Sequence, residues 1–250
     1  MEFGVQLFSL KGKMKDEAGV EAVFATMQQW GVKNIQLSGG CKMQAEKVAE
    51  LKDKYNLHIT CTHMPYDRIV NDLDALIAEH KIFGCDTIGL GMMPSKFKAN
   101  NYALFSEFLA DMAKASDTLT ANGMYLAYHN HWFEFDKIGD KCVLDIMAEK
   151  VPNLQFILDT FWVKFAKKDI VEYIEKLSGR LINVHFKDMT KILGIIPFFG
   201  DVGYGSIDFK QLIPHLEKAG CRYALIEKDI ALNAYKSVKR SWDYLCKTCQ

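Results

Sequence analysis

Four of the seven histidines, His63, His129, His131 and His185, fall at the ends of apolar, β-rich runs rather than on polar helix faces. Asp159 and Glu227 close two further runs of the same kind, LQFILD and RYALIE. A carboxylate there is costly to desolvate unless a cation or hydrogen-bond donors lie beside it. If the runs are parallel strands that finish at one mouth, these side chains converge. Imidazole nitrogen mixed with carboxylate oxygen is the donor set of a divalent transition metal. Such an ion polarises a carbonyl and acidifies the adjacent C–H, so a nearby carboxylate can remove the proton. Lys187 and Asp188 follow His185 in a His-Phe-Lys-Asp run. Lys187 is placed to meet a carbonyl, hydroxyl or phosphate of a substrate, or else to pair with Asp188.

The elements that must position these groups recur along the chain as amphipathic helices ending at a glycine before a β-rich run. Val20, Val23, Phe24 and Met27 have the spacing of one helix face, and Gly31 follows, then KNIQL. Phe209, Leu212, Ile213 and Leu216 repeat the pattern before Gly220. Gly84, Gly123 and Gly179 precede DTIGLG, MYLAYH and RLINVHF, while Asn56 and the Pro152-Asn153 pair serve the same purpose elsewhere. Seven such joints and an amino-terminal strand make eight strands, with Tyr235, Val238, Trp242 and Leu245 marking a closing helix. Continuous apolar strands suit a parallel sheet buried on both faces. No G-x-G-x-x-G follows the first strand, which disfavours an open doubly wound sheet. The expected fold is therefore α/β, a (β/α)₈ TIM barrel in a single domain spanning 1–250, with active-site residues at the carboxyl ends of the strands. Asp208 and Gln211 form an expected capping box, and 194–205 reads as the longest irregular loop, after the seventh strand.

Lysine and arginine total 31, as do aspartate and glutamate. A zero net charge disfavours a polyanion as partner, so no nucleic acid is expected. Seven scattered cysteines, several in apolar runs such as HITCT, suit a reducing cytoplasm. The start MEFGVQLFSLK reads as a strand rather than a leader, and no segment has the length of a membrane span. Cys246-x-x-Cys249 reads as two ordinary cysteines rather than a redox or zinc motif.

The segments YHNHWFEF at 128–135, LDTFW at 158–162, HFKD at 185–188, GYGSIDF at 203–209 and IEKD at 226–229 carry a resemblance along the whole chain. The chain resembles the xylose-isomerase-like superfamily of sugar-phosphate isomerases and epimerases, which also holds dehydratases and an apurinic endonuclease branch. The resemblance implies one Mn²⁺, Mg²⁺, Co²⁺ or Zn²⁺ ion held by Asp159, His185 and Glu227. Where many relatives supply a strand-five glutamate, this chain has His129, either a replacement ligand or a residue orienting one; Glu134 is the alternative ligand, or a loop salt-bridge partner. Epimerases of the superfamily use two ligating glutamates as acid and base, so Glu227 is the surviving carboxylate. Glu227, His129, His63 and Lys187 are the expected catalytic groups, with His63 alternatively a turn residue. His131, Glu134, Trp162 and Phe161 are expected on the substrate side, the last two as a sugar-stacking wall or as packing.

The implied activity is isomerisation or epimerisation of a small sugar-like substrate by proton abstraction beside a metal-polarised carbonyl. Loss of one ligating glutamate also suits a dehydratase or lyase on a keto-inositol or keto-sugar, since inositol-pathway dehydratases carry strand-five histidines. The nuclease reading is weaker, because Trp162 stands where a trinuclear zinc site needs histidine and Met92-Met93 end the fourth strand. A homo-oligomer is left open.

Overall fold

A computed structural model describes residues 1–97 and 102–248. Cys249 lies outside the described residues, and Cys246 is a partly buried free thiol. Eight parallel strands close into a barrel: β1 (Glu2–Gln6), β2 (Asn34–Leu37), β3 (His58–His63), β4 (Thr87–Leu90), β5 (Tyr125–His129), β6 (Gln155–Asp159), β7 (Leu181–Phe186) and β8 (Tyr223–Ile226). Each strand pairs with its successor in the chain, and β8 closes onto β1 with Val5 opposite Ile226.

The joints that set this topology are local. Gly31, Gly84, Gly123, Gly179 and Gly220 take φ between 70° and 80°, and Asn56 takes φ 50°. That left-handed turn ends each helix and returns the chain to the barrel, and a residue with Cβ adopts it only at a cost. The helices bury the faces their spacing defines, such as Val20, Val23, Phe24 and Met27 of Glu17–Gln29. In the closing helix, Ala234–Thr248, Val238, Trp242 and Leu245 are buried.

Most of the core lies between helices and strands. Inside the barrel a smaller plug of Cys61, Ala127, Ile157 and Ile182 is buried. Three of these stand two residues before His63, His129 and Asp159, on the same strand face. The apolar plug thus forms a floor, and the chemistry-bearing side chains form the next layer toward the mouth. Close strand approach is required at Gly4, where an added Cβ would lie 2.3 Å from the carbonyl oxygen of Asn34.

The stretch after β7 is more ordered than its composition suggests. Asp188–Ile192 pairs antiparallel with Ile196–Gly200, so half of the loop expected at 194–205 is a hairpin. Leu193 and Gly194, at φ 52° and 73°, make a turn whose twist matches the strands. No Asn-Gly or Asp-Gly pair announces that turn, and Pro197 tells against a strand. Asp188 does not pair with Lys187. Its carboxylate accepts from the backbone N–H groups of Gly203, Gly205, Ser206 and Ile207 at 2.8–3.1 Å, which pins the chain beyond the hairpin. Asp208 accepts from the Gln211 N–H at 3.3 Å and caps Phe209–Lys218, one half of the expected capping box. Among the described residues, no helix is long and apolar enough to cross a membrane.

Candidate metal centre and substrate cavity

Strand register brings the first two groups together, because Asp159 at the end of β6 lies opposite His185 on β7. Glu227 is one residue past β8, held there by its N–H on the carbonyl of Phe186. His129 ends β5. One donor atom from each of His129, Asp159, His185 and Glu227 lies within 4.8 Å of the other three, and all four residues are buried.

Each donor is aimed by a second contact. Asp159 divides its carboxylate: Oδ1 accepts from the N–H groups of Phe161 and Trp162, capping the helix Thr160–Phe165. Its Oδ2 faces Nε2 of His129 at 3.2 Å. The other ring nitrogen of His129, Nδ1, lies 3.1 Å from the carbonyl oxygen of Gly91; the tautomer that donates there presents the Nε2 lone pair to the cluster, and the other donates to Asp159. His185 is set the opposite way round. Its Nε2 lies 2.8 Å from Gln36 Oε1, which leaves Nδ1 directed at the cluster, 3.0 Å from Glu227 Oε2 without the alignment of a hydrogen bond. In the tautomers that donate to Gly91 and Gln36, the two imidazole lone pairs face carboxylate oxygens, an arrangement that a cation between them would relieve. Donors about 2.0–2.2 Å from a shared tetrahedral ion stand roughly 3.4 Å apart; the two pairs above are 3.2 Å and 3.0 Å apart, and the whole set lies within 4.8 Å.

The charge balance points the same way. Lys187, 1% exposed, has its Nζ 3.3 Å from Asp159, 3.4 Å from Glu227 and 2.8 Å from Asp229. Three carboxylates therefore share one ammonium, an excess of negative charge that a divalent cation would offset. Burial alone would lower the Lys187 pKa, but the carboxylates outweigh it and hold the ammonium charged. Burial pushes Asp159 up against the pull of Lys187. At Glu227 burial is outweighed by the Lys187 charge, which keeps it ionised well below the usual range. Asp229 is raised to about 6 by burial and by the Glu227 charge. Burial, reinforced by neighbouring imidazoles, depresses His63 and lowers His129 and His131 to about 3, so these three are neutral at pH 7.

Above this layer opens a cavity of about 410 Å³, lined by His63, His129, His131, Lys187, Glu227 and Asp229 on its polar side and by Phe8, Tyr66 and Leu90 on its apolar side. His63 lies with its ring 5.4 Å from His129 and 5.9 Å from His185, and its buried Nε2 has no protein partner. His131 stacks on Phe133, and its Nδ1 is likewise without a protein partner. Glu134 is elsewhere. It is fully buried, accepts from the Tyr128 hydroxyl and the His131 N–H, and does not belong to the metal-type cluster. It braces the end of β5 and faces neither the four donors nor the cavity, because the helical turn Phe133–Phe135 folds it back onto Tyr128. Phe161 and Trp162 are outside this cavity too and line an adjoining one.

Two groups at the centre are absent from the expectations drawn on sequence. Gln36, which aims His185, is a polar residue inside an apolar strand, and that is its only signal. Asp229 adds a second carboxylate beside Glu227 on the cavity wall, visible only as the last letter of IEKD. Asn130 also helps, accepting from the Asp159 N–H at 2.9 Å.

Residues 17–229 match the family model of the xylose isomerase-like TIM barrel, and the chain belongs to that family. It is similar in fold to a sugar phosphate isomerase/epimerase from Parabacteroides distasonis, with 22% identity, coverage of 99% of this chain and 98% of that one, and a TM-score of 0.82. A probable 3-DHS dehydratase, AsbF, from Bacillus anthracis superposes with 14% identity over 98% and 99% of the chains and a TM-score of 0.75. The IOLI protein with a bound zinc atom shares 12% identity over 98% and 96%, with a TM-score of 0.72. At these identities the likeness is one of fold. No curated protein matches the chain in sequence.

Proposed function

We propose that the protein is a metal-dependent isomerase or epimerase of a small sugar or keto-sugar. The observation that carries this reading is the convergence of His129, Asp159, His185 and Glu227 beneath a cavity that Glu227 itself lines. A divalent ion held by these four residues would polarise a substrate carbonyl and acidify the C–H beside it. Glu227, kept ionised by Lys187, takes that proton. Lys187 donates to substrate oxygen that gains negative charge, and Asp229 holds the ammonium in place from its other side. The neutral imidazoles of His63 and His131, both on the cavity wall, orient hydroxyl groups. The apolar side of the cavity, with Phe8 and Leu90, keeps water from the reacting carbon.

Dehydration is the second reading, favoured by Asp229: a second carboxylate on the wall can protonate a departing hydroxyl while Glu227 removes the proton. Metal analysis of purified protein, followed by a panel of keto-sugars observed by NMR in D₂O, tests both. Deuterium entering next to the carbonyl with the carbon skeleton intact supports isomerisation or epimerisation; loss of water from the substrate supports the lyase. Metal-loaded protein that does neither, on any member of the panel, overturns the proposal.

A further inference from the structure

Beside the reaction cavity lies a second one, of about 390 Å³, that the chemistry above does not use. Its walls are aromatic: Trp132 from the turn after β5, Phe161, Trp162 and Phe165 from the helix after β6, and Phe198 and Phe199 from the hairpin after β7. Phe161 is buried beneath the others, while Trp132 and Phe165 remain 43% and 40% exposed and present aromatic surface to a ligand. Exposed aromatic surface gathered from three separate elements marks a binding surface more often than a by-product of folding.

The geometry is that of a slot for a flat ring. Trp132 and Trp162 touch each other, centroids 5.0 Å apart and tilted by 45°, and Trp162 and Phe199 meet nearly at right angles, so a planar guest would lie over this aromatic floor rather than between its rings. The slot also shares a wall with the reaction cavity. Trp162 lies 5.6 Å from the ring of His131, and the Lys187 ammonium lies 5.2 Å from Trp162 and 5.1 Å from Phe199. His131 and Lys187 both line the reaction cavity. A molecule whose polar ring lies over Glu227 therefore has the slot next to it.

We infer that the slot is a subsite for an aromatic substituent, so that the substrate is an aryl-substituted sugar, an aryl glycoside or its keto form, rather than a free monosaccharide. This rests on the sugar reading above and narrows its substrate class. A phosphate group does not suit the slot, whose lining carries no cation of its own.

Calorimetric titration of the Zn²⁺-loaded protein with phenyl and methyl β-D-glucopyranosides, and with the matching galactopyranosides, tests the inference. The phenyl member of at least one pair is expected to bind about tenfold tighter or more than its methyl partner. Phe165→Ala and Trp132→Ala, both at partly exposed positions, are each expected to reduce that ratio to about threefold or less, with thermal melting showing that the variants remain folded. Equal binding of phenyl and methyl partners overturns the subsite and leaves the sugar reading standing. Binding of neither member of either pair overturns the subsite, while the sugar reading stands or falls by the D₂O panel above. A phenyl preference that survives in both variants places the aromatic group elsewhere and overturns the assignment. So does a dimer in sedimentation velocity that Leu193→Asp dissociates while no phenyl preference exists, since the slot would then hold a second copy's hairpin tip.

Discussion

Replacing Gln36 separates metal affinity from folding. Gln36 Oε1 receives the Nε2–H of His185 at 2.8 Å, with both residues fully buried. In Gln36→Leu that N–H loses its acceptor, at a cost of about 1–3 kcal/mol if the proton stays. The ring has an escape: the proton can move to Nδ1, and a small rotation would align it with Glu227 Oε2, 3.0 Å away. The escape removes the lone pair an ion would use, and binding must then return the proton to the unpartnered nitrogen. The same cost therefore appears as metal affinity weakened by about 5- to 150-fold, which overlaps the range of roughly 10- to 100-fold for losing a residue that orients a ligating histidine. The metal-free fold should suffer little, because leucine also deletes the buried Gln36 Nε2, which has no partner. Gln36→Glu keeps the acceptor and should bind at least as tightly as the parent. Competition for Zn²⁺ with a chromophoric chelator at pH 7 reads the affinities, and urea unfolding in EDTA reads the fold. Wild-type Zn²⁺ affinity in Gln36→Leu would refute the reasoning, since the tautomer of His185 would then not depend on Gln36.

Glu227→Gln should lower turnover on the true substrate by about 10²–10⁴-fold and lose less metal than His185→Ala; near-normal turnover, with His129→Ala or His63→Ala inactive and still metal-bound, would move the proton to a histidine. Duplex DNA with an abasic site should not be cut at low salt with added Zn²⁺, because Trp162 takes a ligand position and the chain has no net positive charge; EDTA-sensitive nicking would contradict this. His80, fully buried between the Thr62 hydroxyl and the Leu76 carbonyl, has its pKa lowered by burial from 6.5 to about 4. The unfolded chain therefore binds the extra proton between those values, and stability present above pH 6.5 is lost on acidification, by about 2 kcal/mol at pH 5 and about 3 kcal/mol at pH 4. Urea midpoints for the parent and for Thr62→Val/His80→Leu over pH 7 to 5 check this, and parallel pH profiles would count against it.

The barrel is readable because its punctuation is local. Each helix-to-strand joint at Gly31, Gly84, Gly123, Gly179, Gly220 and Asn56 needs a left-handed residue, and such residues stand at those places in the sequence. Strand ends follow from the joints, so the positions of His129, Asp159, His185 and Glu227 at the mouth are legible from residue order alone. The hairpin over 188–200 is not, because its turn uses Leu193 where asparagine or glycine would have given it away. The role of Glu134 is hidden for a related reason. Nearness along the chain to His129 suggests a shared site, whereas one short helical turn reverses the side chain onto Tyr128.

What periodicity does not encode is which polar side chain meets which once the barrel closes. Gln36 and His185 are 149 residues apart and come into contact only because inward-facing positions of different strands share one layer. A strand-interior glutamine amid apolar neighbours is nevertheless a signal, since its amide is costly to bury unless another buried group needs it. Gln6 and Gln36 both fit that description, and both lie fully buried on the first two strands, away from the four donors in sequence. Gln36 supplies an acceptor to His185, while Gln6 binds the Ser38 hydroxyl and caps the turn that carries Phe8 to the cavity wall. A polar residue of an early strand, Gln36, therefore sets a ligand supplied by a late one, Gln6 sets the cavity wall, and the ligand set alone understates how much of the chain the site occupies.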